Sequence, residues 1–231
     1  MAGICIAVGG AVNLSVDNKV VGAALFSTGL FTICTLGYYL YTGKVCYLLD
    51  SNQKGKYLLW LGQIWAGNLI GTALVGYGLR LTRTGTALAE KAQGLCQAKL
   101  NDSLLSIFIL SVLCNLMIYI AVENYKNNPH PLGKYLAIFL GVMVFILAGF
   151  EHCVANMYYI PAGIMAASNS KYVDKACELY GYTAQQISDQ LTIGNFFGKN
   201  LLPVTLGNII GGGVIVGLGL YVINKPKKKD E

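Results

Sequence analysis

The chain has 231 residues, of which 55% are hydrophobic and 12% are charged, and its mean hydropathy is +0.53. These values exclude an ordinary water-soluble domain and predict an integral membrane protein. The net charge of +6 owes much to the terminal run KPKKKDE, which is typical of a cytoplasmic end and argues poorly for nucleic-acid binding.

Apolar runs long enough to cross a hydrocarbon core of about 30 Å follow one another along the chain. They cover about residues 20–49, 57–79, 103–122, 135–168 and 201–223. A further run, AGICIAVGGAVNLSV, opens the chain but is short for a crossing, and it lacks the charged start and cleavage site of a signal peptide. We interpret it as a first helix whose beginning is expected upstream, so the sequence predicts six transmembrane helices.

Two of these runs are too long for one straight crossing, and both contain residues that helices disfavour. The run 20–49 is interrupted by TLGYYLYTGK, and the run 135–168 is interrupted by AGFEHCVAN and again by Pro161. Irregular backbone at membrane depth is tolerated only where it is buried in protein or lines a cavity. Each interruption therefore predicts a functional site.

A repeat relates the two halves of the chain. GNLIGTALVGYGL, at 67–79, matches GNIIGGGVIVGLGL, at 207–220, if one glycine is skipped, and Gly37 corresponds to Gly149. Three spans per half require opposite topologies, so we predict an all-α membrane protein built as a 3+3 inverted repeat, like many transporters. The single domain, 1–231, divides into a first half, a polar connection with a short helix, a second half and a basic tail: about 1–81, 82–102, 103–224 and 225–231.

The second interruption carries Glu151 and His152 near the centre of an apolar stretch. A titratable group at that depth is costly and is usually kept for function, although a neutral histidine satisfied by its neighbours is the structural alternative. Thr42, in the opposite interruption, is the expected partner of His152, unless its hydroxyl bonds its own helix. Glu151 would point about 100° away from His152 in helical geometry, so we expect it to cap exposed N–H groups at the break.

Other candidates have plain structural alternatives. Phe26, Leu30 and Phe145 lie at helical spacing and are either core packing or the walls of a pore. Asn115, inside LCNLMIYIA, must find hydrogen bonds and so faces protein or water. Lys99 would ordinarily be a solvated loop lysine. The seven cysteines show no CxxC or zinc spacing, so neither a disulfide framework nor a metal site is predicted.

FEHCVANMYYIP, LLPVTLGNIIGGGVIVGL, LCNLM, LYTG and AGNLIG together resemble the formate/nitrite transporter family, which includes formate, nitrite and hydrosulfide channels. The resemblance covers essentially the whole chain, in order and at the right spacing. It implies an aquaporin-like protomer with helices two and five broken, and a homopentamer in the lipid bilayer in which every protomer has its own pore. It implies no cofactor.

The resemblance also implies residue roles. His152, Thr42 and Lys99 are the pore centre, with Lys99 making the pore electropositive, and Glu151 and Asn156 support the helix break. One constriction is expected on the periplasmic side and one on the cytoplasmic side, formed respectively by Phe26, Leu30 and Phe145, and by Leu40, Tyr41, Asn115 and Ile118. The chain departs from the family at Tyr39, usually acidic, at Tyr41, usually phenylalanine, and in the residues after Asn115.

The expected function is a channel for small monovalent weak-acid anions of the formate, nitrite or hydrosulfide type, in the inner or plasma membrane with cytoplasmic termini. Protons are an expected partner, because His152 could relay a proton or donate a hydrogen bond to the anion. The alternative is a general small-anion or neutral-solute pore without proton coupling. An enzyme is not expected, since no nucleophile motif or metal set accompanies His152.

Overall fold

The computed structural model describes residues 1–49 and 51–223, within which every regular element is helical, so the predicted all-α class is confirmed. The basic tail, 225–231, lies outside the described residues. The helices are α1 (Ala2–Ser15), α2 (Lys19–Thr35), α3 (Tyr41–Val45), α4 (Lys54–Arg80), α5 (Arg83–Asn101), α6 (Leu104–Asn127), α7 (Pro131–Leu147), α8 (Cys153–Ala166), α9 (Ser170–Tyr180), α10 (Ala184–Gln190), α11 (Ile193–Asn195), α12 (Leu202–Asn208) and α13 (Gly217–Ile223). The π-helical segments Phe196–Leu201 and Ile209–Val216 join the last three into one continuous helix.

Three of these stretches are long and apolar enough to cross a membrane by themselves: Lys54–Arg80, Leu104–Asn127 and Ile193–Gly219. Shorter apolar helices of 10–17 residues accompany them, namely α1, α2, α7 and α8. The apolar run 20–49 contains α2 and α3, and the run 135–168 contains α7 and α8. Neither long run is one uninterrupted helix.

Helices α2 and α7 end in the same way. Gly37 and Gly149, each one residue beyond the helix cap, both have φ +70, a left-handed conformation that glycine adopts without steric cost. The next N–H turns back to the last helical turn, from Tyr38 to the Ile33 carbonyl and from Phe150 to the Phe145 carbonyl, both at 2.9 Å. These are Schellman endings, which satisfy carbonyls that the stopped helix leaves free.

Glycines allow the helices to approach closely around these two stops. Helix α1 packs against α2 and α4, and the π-helical segment Ile209–Val216 packs against α6. A Cβ on Gly3 would lie 2.1 Å from the Asn68 carbonyl oxygen, and a Cβ on Gly211 would lie 2.3 Å from the Val112 carbonyl oxygen. No larger residue fits at these distances, so small residues set the spacing of the helix pairs.

The polar connection contains a longer helix than the short one that we expected. Helix α5 has 19 residues, starts at a Thr82 cap and packs one face on α8. That face buries small and apolar side chains among polar neighbours, including Leu88, Ala92, Cys96 and Leu100. Because the same face brings Lys99 toward the protein interior, α5 contributes to the site described next.

Candidate pore site

His152 and Thr42 meet at the starts of two short helices. Thr42 is the second residue of α3, His152 is the residue before α8, and both are almost completely buried. Thr42 Oγ1 lies 2.9 Å from His152 Nε2, although 110 positions separate the two residues along the chain. The expected contact between the two interruptions is therefore present.

The hydrogen bonds of His152 define its tautomer. Its Nδ1 accepts the backbone N–H of Ala155 at 3.0 Å, so this nitrogen carries a lone pair and the neutral ring is protonated at Nε2. Nε2–H then donates to Thr42 Oγ1, and the Thr42 hydroxyl hydrogen is left to donate elsewhere. A charged imidazolium would need Nδ1 as a donor, and it would lose the bond from Ala155.

Two asparagines of the GN repeat hold the irregular segments, a role that we did not predict. Asn68 Oδ1 accepts from Tyr41 N–H at 2.9 Å, and its Nδ2 donates to the Tyr39 carbonyl at 3.1 Å. Asn208 does the same at the other segment, accepting from Cys153 N–H and donating to the Glu151 carbonyl, both at 3.0 Å. The repeated Gly-Asn dipeptide is the sequence feature that could have predicted this role, because residues at equivalent positions of a repeat are expected to make equivalent hydrogen bonds.

Asn208 makes one bond that Asn68 lacks. Its Nδ2 also donates to the Ser111 carbonyl of α6 at 2.7 Å. Asn115, one turn further along α6, donates back to the Asn208 carbonyl at 2.8 Å. These hydrogen bonds connect three elements in the core: helix α6, the continuous helix Ile193–Gly219 and the start of α8.

Our expectation that Glu151 caps helix N–H groups is wrong. The side chain that caps α8 is His152, whereas the Glu151 carboxylate accepts from Lys99 Nζ at 2.7 Å and from the side-chain amides of Asn156 and Asn200. Glu151 precedes α8 and has no helical neighbours on its N-terminal side, so the 100° argument does not apply to it. Asn156, expected beside the break, is buried and bridges Glu151 to Asn200.

Lys99 is neither a solvated loop residue nor an isolated positive charge. It lies in the last turn of α5, and its side chain is 12% exposed, against 5% for that of its partner Glu151. An ion pair largely cancels its own field at a distance, so Lys99 makes the region less positive than an unpaired lysine would. Lys99 also lines the cavity next to His152.

An aromatic stack extends from His152 through Phe145 to Phe26 and Tyr159. The Phe145 ring lies parallel to the imidazole at 5.5 Å, and Phe26 meets Phe145 edge-on at 6.0 Å. Tyr159 stacks on Phe26 at 6.3 Å. Leu30, one helical turn from Phe26, is buried as well. The structure therefore brings Phe26 and Phe145, two members of the first predicted set, together beside His152.

The second predicted set comes from the start of α3 and from α6. Leu40, Tyr41, Asn115 and Ile118 are all buried, on the start of α3 and on α6, which pack against each other. Asn115 has the polar contacts described above, whereas Leu40, Tyr41 and Ile118 contribute buried apolar or aromatic side chains. The two predicted apolar sets, which we call the apolar layers, therefore adjoin this pair: Phe145 stacks on His152, and Leu40 and Tyr41 directly precede Thr42.

A cavity of about 80 Å³ adjoins His152 on the side of the aromatic stack. Its polar lining comes from Asn13, Lys99, His152, Asn156 and Tyr159. Since about 10–15 Å³ of such space already holds a water molecule, the cavity has room for waters or for one small anion. The site can therefore offer hydrogen-bond donors to a guest that has left bulk water.

Similarity to known proteins identifies the family of this chain. The sequence model of the family described as formate/nitrite transporter matches residues 1–222. The chain belongs to the formate/nitrite transporter family. The resemblance carried by the sequence motifs is thereby confirmed, and the chain is a membrane protein.

Relatives within the formate/nitrite transporter family are similar along most of their length. The uncharacterized transporter YrhG of Bacillus subtilis is 34% identical over 221 residues, which cover 91% of this chain and 73% of YrhG. The formate channel FocA of Escherichia coli strain K12 is 33% identical over 217 residues, covering 89% and 74%. A solved structure described as a pentameric formate channel with formate bound superposes with a TM-score of 0.79 at 28% identity, covering 96% of this chain and 93% of that one.

Proposed function

We propose that the chain forms a membrane channel that passes small monovalent weak-acid anions of the formate, nitrite or hydrosulfide type. The observation that carries the proposal is the buried contact between Thr42 and His152, which adjoins both apolar layers and a polar cavity. Membership of a family of formate and nitrite transporters supports the substrate class. The substrates named for FocA and for the solved pentameric channel point the same way.

We infer six membrane spans in a 3+3 inverted repeat, with the second and fifth spans broken, in an aquaporin-like protomer. The matched glycine stops at Gly37 and Gly149 support this, as do the matched bonds of Asn68 and Asn208. In this arrangement the spans are α1, α2 with α3, α4, α6, α7 with α8, and Ile193–Gly219. Helix α5 and helices α9 and α10 form the connections outside the spans.

We further infer a homopentamer in the inner or plasma membrane, with cytoplasmic termini. The similarity to a solved channel that is described as pentameric supports the assembly. Apolar side chains on the outer face of α4, such as Leu59, Ile70 and Leu74, are more than half exposed and suit contact with lipid or a second copy. The orientation follows from the basic run at the end of the chain.

The apolar layers favour a weak acid over a permanent ion. Stripping water from an anion costs far more than contacts with Phe26, Leu30 or Leu40 can return, so a hydrated ion is excluded. An anion that leaves water for a low-dielectric space becomes easier to protonate. Formate, nitrite and hydrosulfide have this option, and the neutral acid then crosses the apolar layer.

Within this mechanism His152 acts as a hydrogen-bond donor. The bond from Ala155 to Nδ1 and the full burial of the ring both favour the neutral form with hydrogen on Nε2. An anion that displaces Thr42 would receive Nε2–H, and the Thr42 hydroxyl could donate to it as well. The proton that neutralises the anion would then come from solvent rather than from the ring.

Lys99 has a local role in this scheme. Its pairing with Glu151 limits long-range attraction, but its ammonium still lines the cavity next to His152. A partly desolvated anion in that cavity would meet the ammonium at short range, where low dielectric strengthens the interaction. Lys99 is therefore proposed to hold the anion briefly before it is protonated.

The test is uptake into proteoliposomes of formate, nitrite, hydrosulfide, lactate and chloride, with and without an inward proton gradient. Weak acids should enter faster than chloride, and the gradient should accelerate them. The alternative is a general small-anion or neutral-solute pore without proton coupling. Equal uptake of chloride, with no effect of the gradient, would establish that alternative in place of our proposal.

The role of His152 is tested in the same assay. His152→Ala should reduce formate uptake while the oligomer still elutes intact from a sizing column. His130, the only other histidine, precedes α7, so His130→Ala is the matched control and should leave uptake unchanged. Full uptake by His152→Ala would remove this residue from the mechanism.

A further inference from the structure

A second cavity, distant from His152 along α8, has a polar rim and an apolar floor. Its volume is about 210 Å³, and it lies where the end of α4 meets the start of α5 and the end of α8. The rim is formed by Arg80, Thr86, Ser168, Asn169 and Tyr172. The floor includes Gly76, Leu88, Ala92, Tyr158 and Met165. Its two ends thus suit the two parts of an amphipathic molecule.

Arg80 gives the rim a positive charge. It is the last residue of α4, and its Nη2 donates to Ser168 Oγ at 3.3 Å. The ion pairs found among the described residues do not include Arg80, and no described acidic residue lines the cavity. The first turn of α5 also borders the rim at Gly85 and Thr86, with the positive end of the helix dipole. The rim therefore suits an anion with several acceptor oxygens.

The depth of Arg80 points to the source of that anion. Helix α4 is apolar and long enough to cross a membrane, so its final residue lies at the level of the lipid headgroups. Just before and after it, Tyr77 is 60% exposed and Leu81 is 72% exposed on the outer surface of the helix. Lipid phosphate is the most abundant anion at this depth, and an arginine is well shaped to bind it.

The floor is suited to the beginning of an acyl chain. Leu88, Ala92 and Tyr158 are buried and line it with apolar surface. Gly76 keeps it open, because a Cβ at this position would already lie 3.4 Å from Met165 Cε and 3.9 Å from the Tyr158 ring. A longer side chain at Gly76 would extend into the cavity.

We propose that this cavity, which we call the Arg80 groove, binds the phosphate and upper acyl chain of an anionic glycerophospholipid such as phosphatidylglycerol. The anionic headgroup is preferred to a zwitterionic one because no described carboxylate lines the rim to meet a choline or ethanolamine ammonium. The site is separate from the proposed pore and does not depend on which anion the channel carries.

The experiment counts lipids that stay bound to the purified, delipidated oligomer in native mass spectrometry, after addition of phosphatidylglycerol or phosphatidylcholine. The wild type should retain phosphatidylglycerol preferentially. Arg80→Gln should lower its apparent affinity by about tenfold, as expected for one lost charge-assisted contact. Arg83→Gln is the control, because Arg83 is exposed, lies three residues away and does not line the groove.

Further variants and a competitor complete the test. Gly76→Leu should also abolish retention by filling the floor, and Ala162→Leu fills the same floor from α8 if the first variant does not assemble. Inorganic phosphate at millimolar concentration should not displace the lipid. The proposal fails if wild type retains no phosphatidylglycerol, if Arg80→Gln matches wild type, if Arg83→Gln loses as much, or if inorganic phosphate displaces the lipid.

Discussion

The segment between α2 and α3 and the segment between α7 and α8 have the same backbone plan and different chemistry. Both begin at a left-handed glycine, and in both an asparagine accepts from the fourth residue after that glycine and donates to the second. The second residue is Tyr39 in the first segment and Glu151 in the other. Glu151 is an acidic residue buried in the protein, whereas Tyr39 is half exposed.

Each of those two residues also has a lysine partner. Lys44 Nζ lies 5.0 Å from the centre of the Tyr39 ring, whereas Lys99 Nζ lies 2.7 Å from a Glu151 carboxylate oxygen. Tyr39 is 53% exposed and Glu151 is 4% exposed. The repeat has therefore kept the backbone frame on both sides, while the buried charge and the histidine are confined to one side. Equivalent substitutions in the two segments should therefore have effects of different size.

The largest difference in stability between the two segments should come from replacing their lysines. Lys99→Met leaves Glu151 buried without its counter-charge, and breaking such a pair costs about 3–5 kcal/mol. Lys44→Met loses contacts between a cation and exposed rings, which cost about 0.5–1 kcal/mol. Thermal unfolding in detergent measures both. Equal losses would mean that the Lys99–Glu151 pair is no more important than a surface contact.

The double variant Lys99→Met with Glu151→Gln separates charge from packing. If the uncompensated carboxylate causes the loss, the double variant should be more stable than Lys99→Met alone. A double variant that is less stable than either single variant would instead assign the loss to the hydrogen bonds with Asn156 and Asn200.

The asparagines come next. Asn208→Ala strands the Cys153 N–H and the Glu151 carbonyl, both in the buried core, at about 1–3 kcal/mol for each group left unsatisfied, whereas the Ser111 carbonyl keeps its partner within helix α6. Asn68→Ala strands two groups, one of them on the half-exposed Tyr39, where water can replace the amide. We therefore expect Asn208→Ala to lower the unfolding temperature more than Asn68→Ala. The reverse order would contradict the asymmetry between the segments.

A smaller effect is expected at Thr42. Thr42→Val keeps the shape but leaves His152 Nε2–H without an acceptor, at a cost of about 1–3 kcal/mol. Thr42→Ser retains the hydroxyl and serves as the control. In proteoliposomes, Thr42→Val should slow formate uptake and Thr42→Ser should not. Equal uptake by both variants would show that the Thr42 hydroxyl is not used.

These residues were predictable from the sequence to different degrees. The two helix interruptions could be predicted because glycines and the excess length of the apolar runs mark them locally. The contact between Thr42 and His152 could be predicted from the repeat. The partner of Glu151 was not accessible, because Lys99 lies 52 positions away on α5 and only tertiary packing joins them. The side chain that caps α8 was also assigned incorrectly, since a helical-wheel argument was applied to Glu151, which precedes the helix.

The family resemblance assigned Lys99 to the pore, but it did not reveal that Glu151 neutralises it. The asparagine of each GN pair was visible as a repeat, yet a repeat does not say which groups its members bind. A side chain's neighbours are set by the approach of several helices, which the glycines at Gly3 and Gly211 permit. Such neighbours follow from the assembled packing rather than from any local pattern.

The smallest expected effect comes from making the two segments more alike in charge. Tyr39→Glu would place a carboxylate at the position equivalent to Glu151, but Tyr39 is half exposed, so the charge can stay hydrated and pair with Lys44. Stability should change by about 1 kcal/mol or less. Anion uptake should fall a few-fold at low salt and recover at high salt, because screening weakens a surface charge. Tyr39→Gln is the neutral control. If the fall in uptake persists at high salt, or if Tyr39→Gln reproduces it, the cause is the loss of the tyrosine ring and not the introduced negative charge.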